Sequence, residues 1–202
     1  VLADSRATVG FRSSTKEMLY PLAGRWARGA RLEDIDGNLY TDITMGFGVL
    51  LFGHEPEFVT EAVQQHLAGG IRLGPRGPET GEVAELVSEL TGAERVAFAA
   101  TGTEANAAAI RLARAATGRN KIVVFRGAYH GHADTVLGHS LGTGSRRRTV
   151  PVSVGIPDSA VSELIVLEYG QDESLQVIED RADEIAAVMV EPVQSRKPSL
   201  QP

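Results

Sequence analysis

Apolar residues recur along this chain with two periods, and the switching between them is its main structural signal. The first period is two. Arg31-Leu-Glu-Asp-Ile-Asp-Gly-Asn-Leu-Tyr-Thr-Asp42 alternates apolar and polar residues about Asp36-Gly37-Asn38, which is the turn chemistry of a β-hairpin. From Pro56 the pattern becomes helical and runs to about Leu67, with the fixed φ of the proline suited to a first turn. The stretch 69–78 holds too many glycines and prolines for either element and predicts a loop of the kind that lines sites. Val83, Leu86, Val87 and Leu90 share one face of a second helix over 82–90. Short apolar runs over 96–100, 122–125, 164–167 and 187–191 then alternate with helical stretches over 103–117 and 173–182. Such alternation predicts an α/β domain, a mostly parallel sheet with helices on both faces, from residue 55 onward. Residues 1–54 are expected to form a small N-terminal segment, irregular to about residue 30 and carrying the hairpin.

Composition narrows the partners. A net charge of -6 over 202 residues offers no basic field for nucleic acid or an anionic membrane surface. Its one basic run, Arg146-Arg147-Arg148, follows a Gly/Ser-rich stretch and reads as a solvated loop. There are no cysteines, which excludes disulfides, thiolate metal sites and a cysteine nucleophile, and predicts a reducing, cytoplasmic setting. No apolar run approaches the roughly 20 residues of a membrane helix. Val1-Leu-Ala-Asp-Ser-Arg6 lacks the basic-then-apolar pattern of a secretory leader and has no initiator methionine. A buried strand so close to Pro202 adds to the expectation of a piece of a longer polypeptide.

Three segments carry chemistry. Thr101-Gly102-Thr103 stands between an expected strand and a helix, where unpaired N–H groups at the positive end of the helix dipole can hold a phosphate. Thr101 and Glu104 also have capping-box spacing, which uses the same N–H groups with no ligand. No G-x-G-x-x-G or G-x-x-x-x-G-K run supports a nucleotide. Tyr129-His130-Gly131-His132-Ala133-Asp134 allows a flat cofactor against Tyr129 or His130, a metal site from His130, His132 and Asp134, or a plain loop. Glu191, at the end of the last expected strand, sits where carboxyl ends of parallel strands face a ligand crevice, with Gln194 and Arg196 on the same exit loop.

Together, Asp34-Ile-Asp-Gly-Asn-Leu-Tyr-Thr-Asp42, Phe52-Gly-His54, Thr101-Gly-Thr-Glu-Ala-Asn106, Arg111-Leu-Ala-Arg114, Tyr129-His-Gly-His132 and Glu191-Pro192 resemble the class III, fold-type I pyridoxal-phosphate aminotransferases, near the glutamate-1-semialdehyde aminomutase branch. Val1–Gly10, Phe11-Arg-Ser-Ser-Thr-Lys-Glu17, Glu82-Val-Ala-Glu-Leu86 and Glu191-Pro-Val-Gln-Ser-Arg196 look closer still to the aminotransferase domain of hybrid polyketide/nonribosomal-peptide synthases.

The resemblance implies pyridoxal 5'-phosphate as cofactor, with Thr101, Gly102 and Thr103 at its phosphate, Tyr129 stacked on the ring, His130 beside it and Glu191 near the phenolic oxygen as an auxiliary group. It implies an amino acid donor, a β-ketoacyl chain on a carrier protein as acceptor, and a homodimer. An aminomutase acting within one small keto or amino acid, a metal-dependent hydrolase and a non-catalytic fragment are the alternatives. Relatives place their Schiff-base lysine and the aspartate that faces the pyridine nitrogen downstream of the Glu-Pro segment. Here the lysines are Lys16, Lys121 and Lys197, and none stands there. The chain alone is therefore expected not to turn over.

Overall fold

The computed structural model describes residues 22–70, 74, 76–142, 147–195 and 198–199. It falls into two compact units divided between Thr80 and Gly81. Lys16, Arg146, Arg196 and Lys197 lie outside the described residues.

In the first unit, β1 (Gly24–Arg28), β2 (Arg31–Asp34) and β3 (Leu39–Thr41) form an antiparallel sheet in that order. The hairpin register pairs Arg31 with Thr41, Leu32 with Tyr40 and Glu33 with Leu39. Asp34 builds the turn. Its carboxylate accepts the backbone N–H groups of Asp36 and Asn38, at 2.9 and 2.8 Å, and the Asn38 amide and Tyr40 hydroxyl, each at 2.9 Å. Those donors, the Asn38 side chain first, hold the Asp34 carboxyl below its ordinary pKa. Residues 24–28, expected to be irregular, instead pair along the free edge of β2. Helix α1 (Glu57–Ala68) follows Pro56, and α2 (Glu79–Thr91) begins just before the division and belongs mostly to the second unit.

The second unit holds the α/β layers. Its elements are α3 (Gly102–Thr117), β4 (Lys121–Phe125), β5 (Gly138–Leu141), β6 (Arg148–Pro151), α4 (Asp158–Val161), β7 (Leu164–Leu167), α5 (Asp172–Asp180) and β8 (Ile185–Val188). Strands β7, β4 and β8 form a parallel sheet in that order. Alternate residues serve opposite faces, as strand geometry requires. Ile122, Val124, Leu164 and Val166 pack with Ile110 of α3. Val123, Ile165, Leu167 and Ile185 pack against Val177 and Ile178 of α5. This is the expected α/β arrangement with a helix on each face.

Three expectations need correction. Residues 96–100 form no strand. None of the described strands pairs with them, Phe98 is 55% exposed, and the Ala100 N–H goes to the Glu104 carboxylate instead of a ladder. The last strand ends at Val188, not Glu191. The Met189 N–H makes one more bond to the Val123 carbonyl, and the chain then leaves the sheet. The basic run is not wholly a solvated loop either. Arg148 opens β6, which pairs with β5 in an antiparallel hairpin, and Arg147 reaches Glu173 at 3.5 Å. A groove of about 480 Å³ runs beside β7, rimmed by Lys121, Arg147, Arg148 and Arg181.

Candidate functional site

Helix α3 starts at Thr101, whose extended backbone and side-chain cap set its first turn. The Thr101 hydroxyl accepts the Glu104 N–H at 3.2 Å, and the Glu104 carboxylate returns to the Ala100 N–H at 2.9 Å. Capping therefore uses the third N–H of the helix. The N–H groups of Gly102 and Thr103 have no acceptor among the described residues. A Cβ on Gly102 would meet nothing within 4 Å. The cap leaves two donors unpaired at the positive end of the dipole, so capping does not exclude an anion cradle.

The loop after β4 folds onto that terminus. Gly131 has φ +97°, and a Cβ there would lie 2.6 Å from the Thr103 hydroxyl oxygen and 2.9 Å from its Cα, so only glycine permits the approach. The Thr103 hydroxyl accepts the His132 N–H at 3.3 Å and lies 3.1 Å from His132 Nδ1. The Asn106 amide donates to the His130 carbonyl at 3.0 Å. From the other side, the Glu191 carboxylate accepts the Tyr129 N–H at 3.1 Å and the Ser195 hydroxyl at 2.9 Å.

Thr101, Gly102, Thr103, Tyr129, His130 and Glu191 thus belong to one cluster at the carboxyl end of the sheet. Tyr129 is half exposed, and its ring can present a face. His130 is half-buried, and its Nε2 has no hydrogen-bond partner among the described residues. Burial pushes the imidazole pKa below its ordinary value and outweighs the opposing charge of Glu191. A neutral imidazole with a free ring nitrogen, an exposed ring and two unpaired N–H groups suit a flat, anionic ligand. The residues fit a phosphorylated aromatic cofactor.

Among the described residues, no group of three or more His, Cys, Asp or Glu is placed to hold a metal ion. His132 is instead engaged with Thr103 through its backbone N–H and Nδ1. Lys121 is at the opposite end of β4, bonded to the Ser162 carbonyl at 3.2 Å and to Glu163 at 3.1 Å. Of the grooves present, the one beside β7 and one of about 310 Å³ lined by β1, Leu32, His54 and Glu55 include none of the cluster, which is an open ledge. Asn106, Ser195 and Gln194 bind this ledge together and carried no role in the sequence reading. Asn106 lay inside the Thr101–Asn106 motif, which was the available sign.

Fold and site define an α/β protein with unpaired N–H groups at a helix N-terminus beside an exposed aromatic ring. Residues 13–197 match the family described as aminotransferase class-III, and the chain belongs to that family. It is 46% identical over 174 residues to glutamate-1-semialdehyde 2,1-aminomutase of Deinococcus radiodurans, covering 83% of this chain and 39% of the relative. The enzyme of the same name from Desulfitobacterium hafniense is 40% identical over 185 residues, 91% of this chain and 42% of the relative. The chain thus spans about two fifths of these relatives' length.

Among solved structures, a transaminase with PLP bound superposes with a TM-score of 0.80 at 30% identity, covering 100% of this chain and 50% of that one. An omega-transaminase from Sphaerobacter thermophilus superposes with a TM-score of 0.81 at 27% identity, covering 96% and 50%. No helix among the described residues is long and apolar enough to cross a membrane.

Proposed function

We propose that this chain supplies the phosphate- and ring-binding side of a pyridoxal 5'-phosphate site in an enzyme that moves amino groups. The observation that carries the reading is the pair of unpaired N–H groups at Gly102 and Thr103, with open space around the Gly102 Cα, beside the Tyr129 loop. Gly102 and Thr103 would hold the phosphate, with Thr101 fixing the helix start. Tyr129 would cover the ring, and the neutral His130 would border it without adding a competing positive charge. Glu191 acts on this site through the Tyr129 backbone, which it holds by a hydrogen bond. When bound, the cofactor supplies an electron sink for amino-group transfer. Lys121 stands at the opposite end of β4, so the reading covers only the phosphate- and ring-binding side of such a site.

For substrate, the 40–46% identity to glutamate-1-semialdehyde aminomutases favours an amino-group shift within a small amino aldehyde of that kind. A second reading, transfer from an amino acid donor to a β-ketoacyl thioester on a carrier protein, rests on the likeness of Glu191-Pro-Val-Gln-Ser-Arg196 to synthase-embedded domains. Either enzyme would be a homodimer working in the cytoplasm. The test is binding of pyridoxal phosphate and of unphosphorylated pyridoxal to the full-length protein, followed by assays with glutamate 1-semialdehyde and with a β-ketoacyl thioester plus donor. Strong preference for the phosphorylated form supports the cradle. Equal affinity for both would rule it out.

A further inference from the structure

The loop that carries Tyr129 and His130 is held at its far end by a residue to which the cofactor reading gives no task. Gln194 is fully buried, at 0% exposure, on the exit loop of β8. Its Nε2 donates to the Arg126 carbonyl at 3.2 Å, at the point where the chain leaves β4. Its Oε1 is buried and has no hydrogen-bond partner among the described residues. A side chain that loses the hydration of two polar atoms and recovers one long hydrogen bond does not favour folding over an apolar side chain of the same size. Its value lies elsewhere.

The bond ties the two loops together. The β8 exit loop reaches the β4 exit loop twice, through Gln194 to Arg126 and through Glu191 to Tyr129, and these contacts bracket residues 126–129. The β8 loop is itself anchored, since the Tyr169 hydroxyl donates to the Pro192 carbonyl at 2.8 Å and Ser195 holds Glu191. Further along the same segment, Asn106 and Thr103 of α3 take over at His130 and His132. The spacing between the Tyr129 ring and the α3 terminus is therefore set by a chain of directional bonds beginning at Gln194.

We propose that Gln194 is a positioning residue for the cofactor site: its buried amide fixes the Arg126 carbonyl and so sets where Tyr129 and His130 stand relative to the Gly102–Thr103 donors. The proposal rests on the pyridoxal-phosphate reading for its functional consequence and on the hydrogen bonds alone for its structural one. The test uses the full-length protein with Gln194→Met, which keeps length and volume but cannot donate, and with Gln194→Glu, which keeps the shape and whose burial favours the protonated carboxyl that can still donate. Three quantities are measured: amide hydrogen exchange over 126–130 without cofactor, melting temperature without cofactor, and affinity and circular dichroism of bound pyridoxal phosphate.

The expected result for Gln194→Met is an unchanged melting temperature and faster exchange confined to 126–130. Pyridoxal phosphate should bind about three- to tenfold more weakly, the cost of one neutral hydrogen bond, with an altered dichroic band. Gln194→Glu, which can still donate, should stay closer to the parent than Gln194→Met in exchange over 126–130 and in affinity. Unchanged exchange over 126–130 with affinity within twofold of the parent would overturn the proposal. So would faster exchange spread over the whole second unit together with a lower melting temperature, which marks a packing role only. If the parent itself binds no pyridoxal phosphate, the functional reading fails, and the exchange measurement still decides whether Gln194 positions the loop.

Discussion

Adding one methyl group at Gly102 should separate stability from function in opposite directions. Gly102 occupies the first turn of α3, its φ is not in the left-handed range, and a Cβ there meets no atom within 4 Å. Gly102→Ala therefore costs no strain and removes backbone freedom from the unfolded chain, a gain of up to about 0.5–1 kcal/mol. For a chain of this length that raises the melting temperature by roughly 1–4 °C. The Cα–Cβ bond of a helical residue tilts toward the N-terminus, so the methyl enters the space in front of the unpaired N–H groups. A phosphate pushed away far enough to lose one charge-assisted hydrogen bond loses about 1.5–3 kcal/mol, or roughly ten- to 150-fold in affinity. Differential scanning calorimetry of the cofactor-free protein and titration with pyridoxal phosphate measure the two effects on one sample. A variant that is more stable and binds the cofactor as tightly as the parent would refute the assignment of Gly102 to the phosphate.

Tyr129→Phe should weaken cofactor binding only slightly, because a phenyl ring still stacks, whereas Tyr129→Ala should weaken it strongly; equal affinity for all three versions by fluorescence titration would remove Tyr129 from the site. Gly131→Ala must clear Thr103 and leave a positive φ, at a cost of about 1–3 kcal/mol, and urea unfolding should show it together with loss of binding. Burial lowers the His130 pKa in the folded state, so the unfolded chain takes up a proton first as pH falls. Stability is then full above the ordinary imidazole value of 6.5 and declines below it until the folded-state pKa is reached. His130→Gln should flatten that part of the stability–pH curve, and an unchanged slope in urea melts at pH 5 to 7 would contradict the burial of this ring.

The parts of the fold that were legible in sequence are those whose signal is local. Leu164–Leu167 is a strand with the expected bounds because a continuous apolar run, buried on both faces, has few other uses. The hairpin followed from Asp36-Gly37-Asn38, and α3 from its cap and its helix formers. Residues 96–100 were not legible as they stand, since an apolar run becomes a strand only when a neighbour pairs with it. Strands β5 and β6 escaped because Gly138-His-Ser-Leu141 and Arg148-Thr-Val-Pro151 alternate weakly and include glycine and proline.

At the site, Thr101 to Thr103, Tyr129, His130 and Glu191 could be named because loop position and residue type coincide. Gln194, Asn106 and Ser195 are neutral polar residues that acquire meaning only once the carboxyl ends of β4 and β8 lie side by side.

The two outer margins of the parallel sheet are chemically unlike, and this gives the second unit a direction of growth. Along β7, cationic side chains rim the groove and the Thr149 hydroxyl already occupies the Leu164 carbonyl, so a visiting strand would meet charge and a spent acceptor. Beyond β8 the chain presents Val188, Val190 and Val193 at 41%, 48% and 52% exposure, with no strand pairing on that side among the described residues. Strand addition is disfavoured at one margin and invited at the other. That asymmetry leaves the β8 margin open to strand pairing, and a strand laid there would extend the sheet in one direction only.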